Sequence, residues 1–252
     1  MKIKLSICLS LTALCLCLTA CTHRDYTDTG ADTEAHSALL AQSEDFGQEY
    51  IDSFIFVGES TTYHMKSRGV LKGGRDTQQI WATKSGTLNL DPSTTTVKII
   101  YPPTQELLTF AEAAARSKPK YILFTFGLNG AVQNVRRGKD YYKSCYLALI
   151  NSVREASPDT KIILQSAPPV AANMDMSNYS VDVKKLNEHI NTINSWSFEL
   201  AEEEGLGYLN TAEILKNEAG ELRPELQAGD GHHLTAEAYT EILNYIRTHG
   251  YR

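Results

Sequence analysis

The stretch Phe54-Ile55-Phe56-Val57-Gly58-Glu59-Ser60 joins a short apolar run to a serine. A continuous apolar run of this length is typical of a strand that is buried on both faces of a parallel sheet. A serine hydroxyl is a weak nucleophile unless a neighbouring base takes its proton and a further group orients that base. The stretch therefore predicts a buried strand with a candidate nucleophile, Ser60, just beyond its end.

Similar apolar runs recur along the chain and alternate with segments of helical pattern. We predict further strands at 97–100, 121–126, 161–164 and 207–209, and helices at 104–116, 141–156, 181–204 and 235–248. Strands that alternate with helices indicate a parallel sheet covered on both sides, with right-handed crossovers. The predicted fold class is α/β, a three-layer α/β/α sandwich with a central parallel sheet. Sites in such sheets lie at the carboxyl ends of the strands, where Ser60 is placed.

A candidate base for Ser60 lies near the other end of the chain, in Asp230-Gly231-His232-His233-Leu234-Thr235. An Asp and a His three positions apart can place the His imidazole between a carboxylate and a distant nucleophile. The chain order is then Ser…Asp…His. Taken alone, Ser60 could instead cap a helix, and His233 could be a surface histidine near a helix start.

Four blocks of the sequence complete a recognisable pattern: 56–62, 84–88, 126–130 and 229–235. Together they resemble the SGNH (GDSL-type) hydrolases, a family named for a Ser, a Gly, an Asn and a His in four separated blocks in this order. The resemblance spans about Ser53 to Tyr245. It implies the flavodoxin-like fold of that family and the activity of a serine hydrolase.

The resemblance also implies a role for each matching residue. Ser60 would attack an ester carbonyl, His233 would take its proton, and Asp230 would orient the imidazole. The backbone N–H groups of Ser60 and Gly86 and the side-chain amide of Asn129 would form the oxyanion hole. Such preorganised donors act where negative charge develops in the transition state.

The chain departs from the family pattern at two positions. Glu59 replaces the Asp that usually precedes the nucleophile, and Gly130 follows Asn129 where an Asp is often found. We expect the longer Glu59 side chain to alter the hydrogen bonds that hold the nucleophile turn.

Two further histidines lie close to these blocks. His232 could bind a metal ion with Asp230 and His233, but no further ligands cluster nearby in the sequence, so we predict neither metal nor cofactor. His64 lies one helical turn beyond Ser60. It could line the mouth of the site or be an ordinary half-exposed histidine.

The N-terminus has the pattern of a targeting segment, with Met1-Lys2-Ile3-Lys4 followed by an apolar stretch to Leu18. The sequence Leu18-Thr19-Ala20-Cys21 resembles a bacterial lipobox, which implies that Cys21 carries lipid and anchors the protein to the bacterial cell membrane on its extracytoplasmic side. A plain secretory signal and an uncleaved anchor are the alternatives. We predict a signal peptide at 1–20, a flexible polar tether at 21–46 and the hydrolase domain at 47–252.

Composition bounds the remaining possibilities. The 252 residues carry a net charge of −6, which argues against a nucleic-acid partner. Beyond Cys21 only Cys145 remains, so the mature chain has no internal disulfide, and Cys145 is predicted to be a buried packing residue.

The function predicted from these features is an extracytoplasmic, lipid-anchored serine esterase that hydrolyses carboxylic esters through an acyl-enzyme on Ser60. The resemblance and the compartment suggest O-acetyl groups on carbohydrate as substrate, and a short-chain lipid ester is equally compatible with the motifs. Acyl transfer by the same triad and a catalytically inactive surface binding lipoprotein are the alternatives. The sequence does not indicate the oligomeric state.

Overall fold

The computed structural model describes residues 37–251. The predicted signal peptide and the predicted lipidation site, Cys21, lie outside these residues. Among the helices of the described part, none is long and apolar enough to cross a bilayer.

The strands follow the buried apolar runs. In chain order they are β1 (Phe54–Gly58), β2 (Ile80–Trp81), β3 (Ile99–Ile100), β4 (Leu107–Leu108), β5 (Tyr121–Thr125), β6 (Lys161–Gln165) and β7 (Gly207–Leu209). Five of them form one sheet in the order β2-β1-β5-β6-β7, and every neighbouring pair is parallel. Gly58 pairs with Thr125, and Thr125 pairs with Gln165, so three central strands end level with one another.

Within residues 37–251, eight α-helices connect and cover the strands. They are α1 (Gly47–Asp52), α2 (Ser60–Arg68), α3 (Phe110–Ser117), α4 (Ala131–Arg137), α5 (Lys139–Ala156), α6 (Val183–Glu203), α7 (Ala212–Leu215) and α8 (Ala236–Arg247). Successive strand residues point to opposite faces of the sheet, and the core is divided accordingly. Leu123 packs with residues of α1, α2 and α8, whereas Ile122 and Phe124 pack with residues of α3, α5 and α6. The predicted three-layer α/β/α sandwich is confirmed.

The structure differs from the prediction on one side of the sheet. The run 97–100 was predicted as a strand of the central sheet, but only Ile99–Ile100 is extended, and it pairs antiparallel with Leu107–Leu108 in a separate ladder. The position beside β1 belongs to Ile80–Trp81, which the sequence analysis missed. A strand of two residues is too short to show a period.

The helix predicted at 104–116 begins later than expected, at Phe110. Thr109 caps it, with its side chain accepting from the Glu112 backbone N–H while the Glu112 side chain accepts from the Thr109 N–H, which forms a capping box. Thr104, where the predicted helix begins, instead lies in the turn before β4, because pairing with β3 keeps Leu107–Leu108 extended.

The other predicted helices are confirmed within two residues at each end. Asp182 caps α6 and Thr235 caps α8, each by accepting a hydrogen bond from a backbone N–H in the first turn. Cys145 is buried on α5, as predicted.

The folded domain begins earlier in the chain than the predicted end of the tether at residue 46. Ala38 is buried, Leu39 bridges to Tyr208 on the free edge of β7, and the Ser43 N–H donates to the Thr248 carbonyl. These contacts attach the chain to the domain before the predicted boundary at residue 47. The physical reason is the edge of β7, whose unpaired backbone groups take up the preceding segment as a short extra strand.

The end of β1 brings two backbones together so closely that only glycine fits. A Cβ atom on Gly58 would lie 2.4 Å from the Thr125 carbonyl oxygen and 2.4 Å from Thr62 Oγ1. The pairing of β1 with β5 and the first turn of α2 therefore both depend on the missing side chain.

We predict that Gly58→Ala destabilises the domain by about 1–3 kcal/mol, since the added methyl must displace backbone or the helix start. Urea unfolding measures the change, with the exposed substitution Glu49→Ala as a control expected to stay within about 0.5 kcal/mol. Wild-type stability in Gly58→Ala would show that this crowding is not a constraint.

Candidate active site

The candidate nucleophile lies at a sharp strand-to-helix junction. β1 ends at Gly58, Glu59 is the extended N-cap residue, and Ser60 is the first residue of α2. The first backbone N–H groups of a helix, here those of Ser60 and Thr61, have no carbonyl of the helix to donate to, so the start of α2 presents partial positive charge beside the serine.

The structure brings together three residues that the sequence separates widely. His233 Nε2 lies 3.1 Å from Ser60 Oγ, and His233 Nδ1 lies 2.6 Å from Asp230 Oδ2. An ionised carboxylate only accepts hydrogen bonds, so the ring proton is on Nδ1. Nε2 then has a free lone pair that accepts from the Ser60 hydroxyl. This is the arrangement that a general base needs to activate a serine.

The Asp230 carboxylate is held by its own loop. Its Oδ1 accepts from the backbone N–H groups of His232, at 3.1 Å, and His233, at 2.9 Å. Burial raises the pKa of Asp230, but these N–H groups and the His233 imidazole outweigh burial and hold the pKa well below its ordinary value. Asp230 is therefore ionised across the physiological pH range.

Contacts with Met174 and Gln227 also hold the loop that carries Asp230. Gly231 has φ of +81°, and a Cβ there would lie 2.5 Å from the Met174 Cα. Gln227 Oε1 accepts from the N–H groups of Gly229 and Gly231. The position of Asp230 thus depends on a glycine that no larger residue could replace without displacing the 170–174 backbone.

Two of the three predicted oxyanion donors are hydrogen-bonded to other groups in this structure. The Gly86 N–H donates to the Thr83 carbonyl at 3.0 Å, and Asn129 Nδ2 donates to Thr87 Oγ1 at 3.0 Å and to the Leu88 carbonyl at 3.1 Å. The Ser60 N–H belongs to the open start of α2. The oxyanion role of Gly86 and Asn129 stays a prediction, and it requires their hydrogen bonds to Thr83, Thr87 and Leu88 to be exchanged.

Two histidine rings lie against His233. The ring centroid of His64 is 4.1 Å from that of His233, with 27° between the planes, and the centroid of His232 is 4.0 Å away at 42°. The sequence places His64 one helical turn from Ser60 but does not indicate this stacking. The i, i+4 spacing of Ser60 and His64 was the available signal.

Asp230, His232 and His233 also form a group whose ligand-type atoms lie within 4.8 Å of one another. Within residues 37–251 no other such group of His, Cys, Asp or Glu is found. Because the contact between Asp230 and His233 is a direct hydrogen bond, we interpret the group as a base, its orienting carboxylate and a neighbouring ring. The expectation that the site works without a metal stays a prediction.

Comparison with known proteins identifies the family. The GDSL-like lipase/acylhydrolase family matches residues 56–240. The chain belongs to this family. It is accordingly an SGNH-type serine hydrolase, as its four sequence blocks predicted. No curated protein matches the chain.

Solved structures share the fold of this GDSL-like hydrolase. A protein named as a candidate acylhydrolase from Bacteroides fragilis NCTC 9343 is 15% identical with a TM-score of 0.53, covering 77% of this chain and 84% of its own. A DUF4886 family protein from Bacteroides uniformis ATCC 8492 is 16% identical with a TM-score of 0.52, covering 79% and 83%. At these identities the likeness concerns the fold.

Glu59, where the family usually has Asp, connects the nucleophile turn to the loop after β5. Its side chain is buried and accepts three backbone hydrogen bonds of 3.0 Å, from Gly127 to Oε1 and from Leu128 and Asn129 to Oε2. The extra methylene of Glu thus does not loosen the nucleophile turn. It reaches three consecutive N–H groups and fixes the backbone of Asn129 relative to Ser60.

Burial raises the pKa of Glu59 to about 7, against the opposing effect of the three N–H donors. A carboxyl whose folded-state pKa is above its ordinary value of 4.5 favours the fold most when it is protonated. That contribution is present below about pH 4.5 and is lost as the pH rises through about 7.

We predict that the unfolding free energy of the wild type, relative to that of Glu59→Gln, falls as the pH rises from about 5 to 8. The expected fall is on the order of 3 kcal/mol, because only the wild type must ionise a buried group. Urea unfolding at several pH values measures it, and Glu49→Gln on the exposed face of α1 is the matched control. A constant difference would mean that the three N–H groups keep Glu59 ionised throughout.

Proposed function

We propose that this GDSL-like hydrolase is an extracytoplasmic, lipid-anchored esterase that cleaves carboxylic esters through an acyl-enzyme on Ser60. The observation that carries the catalytic part is the continuous hydrogen-bonded path from Ser60 Oγ through His233 to Asp230, with contacts of 3.1 and 2.6 Å.

In the first half-reaction Ser60 Oγ attacks the ester carbonyl carbon while His233 Nε2 takes the hydroxyl proton. The carbonyl oxygen becomes an oxyanion, and the Asp230 carboxylate stabilises the imidazolium. The tetrahedral intermediate collapses when the C–O bond to the alcohol breaks and His233 returns the proton to the leaving alkoxide. Ser60 is then acylated.

In the second half-reaction a water molecule replaces the alcohol. His233 takes a proton from the water as its oxygen attacks the acyl carbon, and the Ser60 Oγ–carbon bond breaks with return of that proton to Ser60. The products are a carboxylic acid and the free enzyme. An alcohol in place of water would give acyl transfer, so the acceptor decides between the two reactions.

For the oxyanion we propose the Ser60 N–H, the Gly86 N–H and Asn129 Nδ2. The latter two donors face oxygens of the 83–88 loop, namely those of Thr83, Thr87 and Leu88. An oxyanion is a stronger acceptor than a neutral carbonyl or hydroxyl oxygen. Substrate would therefore draw these donors away from the loop, at the cost of the present hydrogen bonds.

The proposed substrate is an ester of the cell envelope, with O-acetyl groups on carbohydrate as the chemical class. The support is the family, which hydrolyses esters, together with the lipobox-like segment that would place the domain outside the cytoplasm.

We predict that the domain hydrolyses p-nitrophenyl acetate faster than p-nitrophenyl octanoate, and that Ser60→Ala lowers kcat/KM at least about 1,000-fold. The assay contains EDTA, because none of the proposed steps needs a metal. Adding an alcohol acceptor and analysing the products separates hydrolysis from acyl transfer. Ser60→Ala with wild-type turnover would exclude the mechanism, and preference for octanoate would exclude an acetylesterase.

We predict that Cys21→Ser abolishes incorporation of a labelled fatty acid and releases the protein from the membrane fraction of a bacterial host, because only a thiol at this position can carry the proposed lipid. Cys17→Ser is the matched control, since it changes a cysteine inside the predicted signal peptide. Equal labelling of both variants would contradict the lipid anchor while leaving the esterase proposal untouched.

A further inference from the structure

The catalytic histidine of the proposed mechanism is packed by rings as well as hydrogen-bonded. Its two nitrogens are used by Asp230 and Ser60, so hydrogen bonds alone would leave the ring free to tilt about the line between them. The ring of His64 lies nearly parallel to it, with centroids 4.1 Å apart. His64 therefore restricts the tilt of the His233 ring, which is the one movement that the two hydrogen bonds leave free.

Helix α2 meets the loop of His233 at three successive turns. Ser60, His64 and Arg68 are each four residues apart and thus lie on one face of the helix. Ser60 Oγ contacts His233, His64 stacks on it, and Arg68 Nε donates to the Leu234 carbonyl at 3.3 Å. The residue that carries the nucleophile and the residue that packs the base therefore move as one rigid element.

We propose that His64 is a positioning residue, whose ring holds the His233 imidazole in the plane in which Nε2 meets the Ser60 hydroxyl. This role rests on the proposed function, since it concerns the base of the same triad. His64 touches neither Ser60 Oγ nor Asp230 through a hydrogen bond in the described structure, so it acts through His233.

The protonation state of His64 suits this role. Its Nδ1 is buried and has no hydrogen-bond partner within residues 37–251. Burial lowers the pKa of His64, and the nearby His233, Arg68 and His232 lower it further, while Asp230 alone opposes them. The ring is therefore neutral near pH 7.

A neutral ring and a charged ring would affect His233 in opposite ways. During catalysis His233 becomes an imidazolium, and the face of a neutral aromatic ring attracts a cation. A protonated His64 would instead repel it and weaken the base. Activity should therefore require a neutral His64 ring beside the base.

The test compares His64→Ala with His64→Phe in p-nitrophenyl acetate hydrolysis. We expect His64→Ala to lower kcat about tenfold or more while KM changes less than about twofold, because the base is misplaced and the substrate contacts remain. His64→Phe keeps a flat ring and should restore most of kcat at about pH 8. His249→Ala, which removes an imidazole stacked on Tyr245 away from the site, is the matched control.

The pH dependence of kcat/KM on the acid side distinguishes a positioning role of His64 from a purely structural one. On the acid side of the profile the wild type should lose kcat/KM more steeply than His64→Phe, because only the wild type can acquire a second positive charge, on His64, beside the base. Equal slopes in the two proteins, or a His64→Phe variant as impaired as His64→Ala, would overturn the proposal.

A second measurement does not depend on turnover. The proton shared by His233 Nδ1 and Asp230 should give a low-field NMR resonance in the wild type and in His64→Phe, and a broadened one in His64→Ala. If the wild type hydrolyses no ester, the proposed function fails and this resonance alone decides the role of His64. An unchanged resonance in a folded His64→Ala protein would overturn it.

Discussion

The hydrogen bonds of Glu59 to the loop after β5 are the constraint on which the rest of the site depends. A buried carboxylate without partners would be unfavourable, and here three consecutive N–H groups at residues 127–129 satisfy it. Because Glu59 immediately precedes Ser60, the same interaction that satisfies the carboxylate also fixes the nucleophile relative to Asn129. The central sheet supplies this geometry, since β1 and β5 end level with each other.

The base is held by a different element. The loop 229–234 positions Asp230 and His233 through its own backbone, while α2 contacts it at Ser60, His64 and Arg68. The nucleophile and base are thus organised before substrate arrives, whereas two of the proposed oxyanion donors are hydrogen-bonded to oxygens of the 83–88 loop. The proposed oxyanion contacts would therefore require that loop to reorganise more than the triad.

The sequence predicted the central strands well and the edge of the sheet poorly. The runs that became β1, β5 and β6 are buried on both faces, so they appear as continuous apolar stretches. The two residues of β2 carry no such pattern, and their strand exists only because it pairs with β1. Likewise the helix start at Phe110 depends on Leu107 and Leu108 pairing with β3, which overrides their helical propensity.

By itself the sequence determined the α/β class, the family and the candidate triad, because apolar runs, turn residues and the spacing of Asp230 and His233 are local features of the chain. Only the tertiary structure decided what surrounds them. The contact of Glu59 with residues 127–129 and the hydrogen bond of Ser60 with His233 join residues far apart in the chain, so no local pattern encodes either one. The stacking of His64 on His233 has the same origin, since it depends on how α2 packs against a loop near the end of the chain.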